Sequence, residues 1–244
     1  MRDLAVVVPA YNEARLLPGA LAALAAQSDR DFTLVVVDNA STDATAALAA
    51  DFPGDVRVLV EPRPGAGTAA DTGFRYASAE GATKLLRTDA DCLPAPTWVA
   101  TGRALLDRVD VACGRSVPRR DEQPTWAQRV IYPAVVRGAA QLARWQHRSP
   151  TAQAPFVLIH GHNLAITADL YARCGGTPRE ALEDGAEDVT LLNRARQHSA
   201  RIVRAEQLIV ESSLRRLRGW GPRRTLLWHW DRRYRPTGDE VHVR

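Results

Sequence analysis

Two aspartates stand two residues apart in LLRTDADCLP, residues 85–94, behind a short apolar run. Carboxylates at the tip of a strand are costly there unless a cation meets them. Alternate residues of an extended segment point to the same side, so Asp89 and Asp91 are expected to face one ligand. Hard divalent ions such as Mg2+ or Mn2+ prefer oxygen donors and often keep phosphates as their remaining ligands. Two exposed loop acids are the plainer alternative. Asp38 closes another apolar run, VVVD, and Glu187 and Asp188 open a helical pattern, EDVTLLNRARQH. Acids at a helix start also favour its dipole with no chemical role at all. A Walker-type glycine loop is absent, which excludes a P-loop phosphate site.

The elements that must position these acids follow from hydrophobic periodicity. LAVVVPA (4–10) and FTLVVVDNA (32–40) are β-branched runs without alternation, as in strands buried on both faces. Between them ARLLPGALAALAAQ (14–27) carries leucines at 16, 17, 21 and 24, a helical spacing. The order repeats with a helix over 41–52 capped by Ser41 or Thr42, a strand over 56–62, a helix over 67–81 and a strand over 84–91. Such a chain is α/β, with a doubly wound, mostly parallel central sheet flanked by helices. Ligands of these sheets lie at the carboxyl ends of strands, where Asp38, Asp89 and Asp91 all stand.

The second half is less regular. Helices are expected over 97–108, 168–176 and 187–200, and strands over 109–118, 156–167 and within 201–212. Residues 124–147 read as mainly helical, broken at Pro133. With 244 residues and no internal repeat or low-complexity linker, a single compact domain is expected.

Composition narrows the classes. The chain is 45% hydrophobic and 25% charged, ordinary for a globular protein, and no apolar run is long enough for a transmembrane segment. The N-terminus, MRDLAVVVPAYNE, turns polar too early for a secretory signal. Cys92, Cys113 and Cys174 are isolated and odd in number, which argues for a reducing cytoplasm and against a disulfide framework or a cysteine-rich zinc site. A net charge of +4 invites a nucleic-acid reading, but the excess is uneven: Arg215 to Arg235 holds eight arginines against Asp231 alone. Lys84 is the only lysine, so compositional bias accounts for much of the charge, and no nucleic-acid partner is expected.

VVVPAYNEARLLPGAL, VVVDNASTDAT, LLRTDADCLPAPTWV, GHNLAI and EDVTLLNRARQHSARI resemble, in that order, the successive motifs of family-2 glycosyltransferases with the GT-A fold. The resemblance runs from about residue 4 to residue 217. It implies transfer of a sugar from a UDP- or GDP-linked donor to an acceptor hydroxyl, with inversion and with Mg2+ or Mn2+ as cofactor. It divides the domain into a nucleotide-sugar-binding half (1–110), an acceptor-binding half (111–214) and a basic aromatic tail (215–244). Carried over residue by residue, it gives Asp91 to the metal, Asp89 to the ribose or the metal, and Asp38 to the base. Pro9, Tyr11 and Glu13 correspond to the loop around base and ribose. Asp188 is the implied general base, with Glu187 orienting the acceptor or a neighbouring group. His162 and Asn163 correspond to the acceptor side; His160 and His162 alternate, so one of them is expected to face the cleft.

Several positions keep alternatives open. Asp38 could instead cap the helix near Ser41, and Tyr11 could simply pack over the sheet edge. Asn39 replaces a common second acid, which leaves the nucleotide open. Ala70 and Asp71 stand where the family often has Arg-Asn, with Arg63 and Arg75 as the arginines nearby. GAGT resembles the loop of sugar nucleotidyltransferases but does not follow the first strand. QLARW (141–145) resembles a motif of processive synthases but precedes the Glu187–Asp188 pair instead of following it, so an ordinary helix face is expected there. In the tail, His229 is a candidate metal ligand and the arginines could clamp a diphosphate. Its tryptophans and leucines could instead meet a lipid-linked acceptor, as a peripheral contact at the inner membrane surface. Small molecules and glycans are the other acceptor classes, and a noncatalytic nucleotide-sugar-binding subunit is the rival function.

Overall fold

The computed structural model describes residues 1–130, 134, 138, 150–179, 187–215, 217–219 and 221. Strands β1 (Leu4–Ala10), β2 (Thr33–Asp38) and β3 (Val56–Val60) alternate with helices α1 (Leu17–Ala25) and α2 (Thr45–Ala50). Helix α3 (Ala66–Ala79) then leads to β4 (Lys84–Arg87), the two-residue β5 (Leu93–Pro94) and α4 (Trp98–Leu106). Strands β6 (Val111–Pro118) and β7 (Leu164–Thr167), helices α5 (Ala168–Arg173) and α6 (Glu187–His198), and the long β8 (Ile202–Ser212) complete it. The eight strands of the described residues form one sheet in the order β3-β2-β1-β4-β7-β6-β8-β5.

Strands β1 to β4 pair in parallel, and β7 runs antiparallel to both β4 and β6. The sheet is therefore mixed but mostly parallel. Every residue of β1 and β2 is buried, as uninterrupted apolar runs require. Alternate residues serve opposite faces. Leu4, Val6, Val8, Leu34 and Val36 pack with α1, α2 and α4, while Ala5, Val7, Val35 and Val37 pack with α3, α5 and α6.

Differences from sequence expectation lie at element ends and in short segments. Residues 156–163 form no strand and β7 begins only at Leu164; β8 is a single strand that lies between β6 and β5, and its pairing with β6 shifts register between Gly114 and Arg115. Ser41 and Thr42 do not cap α2, which begins at Thr45; they bind Asn12 instead. Pro133 and residues 141–145 lie outside the described residues. Among the described residues no helix is long and apolar enough to cross a membrane. Cys92, Cys113 and Cys174 are buried free thiols.

The glycine inside α3 has a packing reason. A Cβ on Gly73 would lie 2.5 Å from Cγ1 of Val7 and 2.9 Å from Cγ2 of Val37, both on rigid strands. Gly73→Val is expected to lower stability by about 1–3 kcal/mol through overpacking, read as a reduced urea midpoint at unchanged slope.

Candidate active site

Strand order reverses at β1: β2 and β3 lie to one side and β4 to the other. Such a switch point opens a crevice at the carboxyl ends of the strands. Asp38 is the last residue of β2 and is 6% exposed. Its Oδ2 accepts the Ser41 N–H at 3.3 Å, a bond within the loop ahead of α2 and not a cap of that helix, which begins at Thr45. Its Oδ1 is buried with no hydrogen-bond partner among the described residues, as is Oγ1 of Thr88 just past β4. A buried unsatisfied acceptor costs about 1–3 kcal/mol, so each is a place where a ligand's hydrogen bond would be gained.

The loops around the crevice are tied to each other. Asn12 and Ala40, each two residues beyond its strand, have left-handed φ values of 51° and 62°, a conformation a non-glycine residue holds only when its surroundings impose it. The Asn12 N–H donates to Ser41 Oγ at 2.9 Å, and Asn12 Oδ1 accepts the Thr42 N–H at 2.8 Å. Asn39 Nδ2 donates to the carbonyls of Glu61 and Arg63 at 2.8 and 2.7 Å, while Oδ1 accepts the Gly65 N–H at 2.8 Å. An aspartate could accept that one bond but could not donate the other two. The amide at this position is thus set by the β3–α3 loop it holds. Pro9 is a buried β1 residue opposite Val37, and Tyr11 is the first residue past β1.

Asp89 and Asp91 are not on an extended segment. Strand β4 ends at Arg87, and the Cys92 N–H donates to the Asp89 carbonyl at 3.0 Å, closing a turn. Strand alternation therefore does not orient them, and each meets a different arginine. Asp89 Oδ1 accepts from Arg87 Nε at 3.3 Å, whereas Asp91 Oδ2 pairs with Arg215 Nε at 3.1 Å. Asp91 Oδ1 takes the Cys92 thiol at 3.3 Å, and its backbone carbonyl accepts from Arg119 Nη1 at 3.0 Å. Glu13 is buried and pairs with Arg215 Nη2 at 2.5 Å. Burial pushes its pKa up, Arg215 pulls it back in part, and Asp91 and Asp89 add to the rise.

Arg87 is the hub. It is 4% exposed, and Gly161 approaches so closely that a Cβ there would lie 3.3 Å from the guanidinium. Its Nη2 is 3.8 Å from Glu187 Oε1. Burial alone would depress its pKa, but Asp89, then Glu187 and Asp188, more than reverse this and leave it raised. Asp188, also buried, receives the Val189 N–H on Oδ1 at 2.8 Å and the Gly161 N–H on Oδ2 at 3.2 Å. The start of α6 is thereby joined to the segment 160–163 and to the end of β4.

That segment is itself a turn, with the Asn163 N–H donating to the His160 carbonyl at 2.9 Å. His160 and His162 consequently stack, centroids 5.3 Å apart, instead of alternating. His162 Nε2 is 3.0 Å from Ser116 Oγ. Asn163 is fully buried: its Oδ1 accepts from Trp98 Nε1 at 2.9 Å and its Nδ2 donates to the carbonyls of Arg115 and Leu208, each at 2.9 Å. Its side chain works inside the wall of the site, which corrects its assignment to the acceptor surface.

A second cluster joins α3 to α5 and to the residues just after it. Asp71 is fully buried and accepts from Tyr171 Oη at 2.7 Å, Arg75 Nε at 2.8 Å and Arg179 Nη1 at 3.1 Å. Arg179 also pairs with Glu61 at 2.6 Å. Arg75 thus pairs with Asp71 while its side chain stays 56% exposed. His229, together with the tail's tryptophans and leucines at 220, 226, 227, 228 and 230, lies outside the described residues. Sequence reasoning overlooked Arg87, Arg119 and Arg179 and did not single out Arg215. For Arg87 a signal existed, since an arginine ending an apolar strand must find a carboxylate.

Among the described residues no three potential ligands converge as a metal cage. A Mg2+-type ion held by one or two carboxylates and by phosphates needs none, and the carboxylate of Asp91 is an oxygen donor of the kind such an ion takes.

The sequence model for Glycosyl transferase family 2 matches residues 5–167. Uncharacterized glycosyltransferases of Mycobacterium bovis and Mycobacterium tuberculosis are each 32% identical over 180 residues, covering 72% of this chain and 76% of theirs. Among solved structures, the mannosyltransferase PcManGT from Pyrobaculum calidifontis, in complex with GDP-Man and Mn2+, superposes with a TM-score of 0.64 at 24% identity. The match covers 86% of this chain and 56% of that one. S. aureus TarS 1–349 in complex with UDP-GlcNAc gives a TM-score of 0.61 at 19% identity, covering 87% of this chain and 58% of that one. The chain thus spans little more than half the length of these structures, whose likeness shows the fold, GT-A.

Asn39→Asp sets a carboxylate against two carbonyls. It is expected to cost about 1–3 kcal/mol at neutral pH, measured by denaturant unfolding. Unchanged stability would remove the loop-holding role.

Proposed function

The chain belongs to glycosyl transferase family 2, and on that premise we propose that it moves a sugar from a nucleotide diphosphate donor to an acceptor hydroxyl with inversion, assisted by Mg2+ or Mn2+. One observation supports this most: carboxylates from separate chain segments gather at one end of the sheet, Asp89 and Glu187 about Arg87, Glu13 and Asp91 about Arg215.

The unpaired Oδ1 of Asp38 accepts a ring N–H of the base, a donor that uracil and guanine both present, so UDP- and GDP-sugars are equally admitted. Asp89 receives a ribose hydroxyl, with Arg87 fixing its orientation. Pro9, Tyr11 and Glu13 border the base and ribose. Asp91 holds the ion, which when bound neutralises charge on the departing diphosphate. Asp188 takes the proton of the attacking hydroxyl, its carboxylate aimed by the N–H groups of Val189 and Gly161. His162 and Glu187 orient the acceptor, which is a small molecule, a glycan or a lipid-linked sugar.

Thermal-shift screening of UDP- and GDP-sugars with Mn2+, followed by product analysis with anomeric assignment, tests the reaction. Asp188→Asn is expected to lower kcat by about 10²–10⁴-fold with donor binding retained. A defect confined to donor binding would show that Asp188 is not the base. Excess EDTA is expected to abolish transfer, and full activity in it would remove the ion from the mechanism. Donor binding without any transfer would identify a binding subunit instead.

A further inference from the structure

The sequence-level expectation for Asp91 is a metal ion, yet a guanidinium already rests on it. Arg215 Nε lies 3.1 Å from Asp91 Oδ2, and Arg215 Nη2 lies 2.5 Å from Glu13 Oε1. These are not loose surface pairs. The Arg215 side chain is 28% exposed, Asp91 16% and Glu13 7%. One cation thereby joins the β1–α1 loop to the turn after β4. Its backbone is held alongside, with the Leu214 N–H donating to Glu122 Oε2 at 2.9 Å and the Arg215 N–H to Ser213 Oγ at 3.1 Å.

We propose that Arg215 is a resident counter-ion for Asp91 that a divalent ion must displace, and that the displaced guanidinium turns to the diphosphate while keeping Glu13. This rests on the donor site proposed above. Oxygen ligands of Mg2+ sit at about 2.0–2.1 Å, too close for an ion and a guanidinium to share one face of a carboxylate oxygen. The other oxygen, Oδ1, faces the Cys92 thiol. An ion arriving alone therefore breaks the Asp91–Arg215 pair and offers the guanidinium nothing in exchange. Arriving with a diphosphate, it brings oxygens that the freed Nε–H and Nη–H groups bind in the fork geometry arginine favours. Glu13, more deeply buried, keeps its share of the fork and acts as the pivot. Arg215 is thus a positioning residue that couples ion and nucleotide: each binds weakly alone and tightly together, and the coupling is reciprocal.

The test needs no turnover. Mn2+ binding to the full chain is followed by the free-ion electron paramagnetic resonance signal, with and without UDP or GDP. For the unaltered protein, nucleotide is expected to tighten Mn2+ binding by about tenfold or more, within the usual range of coupling. Arg215→Met is expected to bind Mn2+ alone about tenfold more tightly than the unaltered protein, with nucleotide adding little. Arg215→Lys keeps a cation without the fork and is expected to keep weak binding of the lone ion while losing most of the coupling. Circular dichroism of each variant confirms folding. If Arg215→Met binds lone Mn2+ no better than the unaltered protein, or retains full coupling, the exchange does not occur. Failure of transfer itself would appear in the sugar-transfer assay of the unaltered chain, which is independent of these measurements.

Discussion

The buried guanidinium of Arg87 ties the two halves of the chain together at the carboxyl end of the sheet. It ends β4, beneath Gly161, with Asp89 on one side and Glu187 and Asp188 on the other. A charge so far from water is tolerable only with partners, and its partners are acids to which the proposed function gives roles. Remove the cation, and three carboxylates at the mouth of one crevice repel one another. Keep it, and the end of β4 and the start of α6 share a single electrostatic centre. The same contact that stabilises the assembly therefore sets the spacing between the proposed donor site and the proposed base.

Two other arginines extend the scheme. Arg215 does for Glu13 and Asp91 what Arg87 does for Asp89 and Glu187, from an element at the far end of the described chain. Arg179, with Asp71 and Glu61, holds the chain just after α5 against α3. Each group of acids is met by an arginine that also reaches a residue from another element: Arg87 joins Asp89 to Glu187, Arg215 joins Glu13 to Asp91, and Arg179 joins Glu61 to Asp71. The pairing differs in depth. Asp71 is fully enclosed and behaves as structure, whereas Asp89 and Asp91 keep 32% and 16% of their side-chain surface and can change partners.

Legibility in the sequence varied with physical cause. The first hundred residues could be read almost strand by strand, because strands covered on both faces must be uninterruptedly apolar, and β1 spans the residues that pattern marks. Turns were less legible. Asp89 with Asp91, and His160 with His162, were both read through strand alternation, and both pairs lie in hydrogen-bonded turns where alternation does not hold. Asn163 matched a motif yet proved to be a fully satisfied buried amide, because a motif records which residue is needed and not whether it faces ligand or neighbour.

By itself the sequence determined the alternation of strand and helix, the parallel first half, the family, and the acids at strand ends. All of these depend on residues close together in the chain, where periodicity and short motifs act. Only the tertiary structure decided which arginine each acid meets, which polar side chains are consumed by the wall, and that Asp38 keeps an oxygen unpaired among the described residues. Those outcomes depend on contacts between residues far apart in sequence. Burial there fixes whether a charge is paired, and no local pattern encodes it.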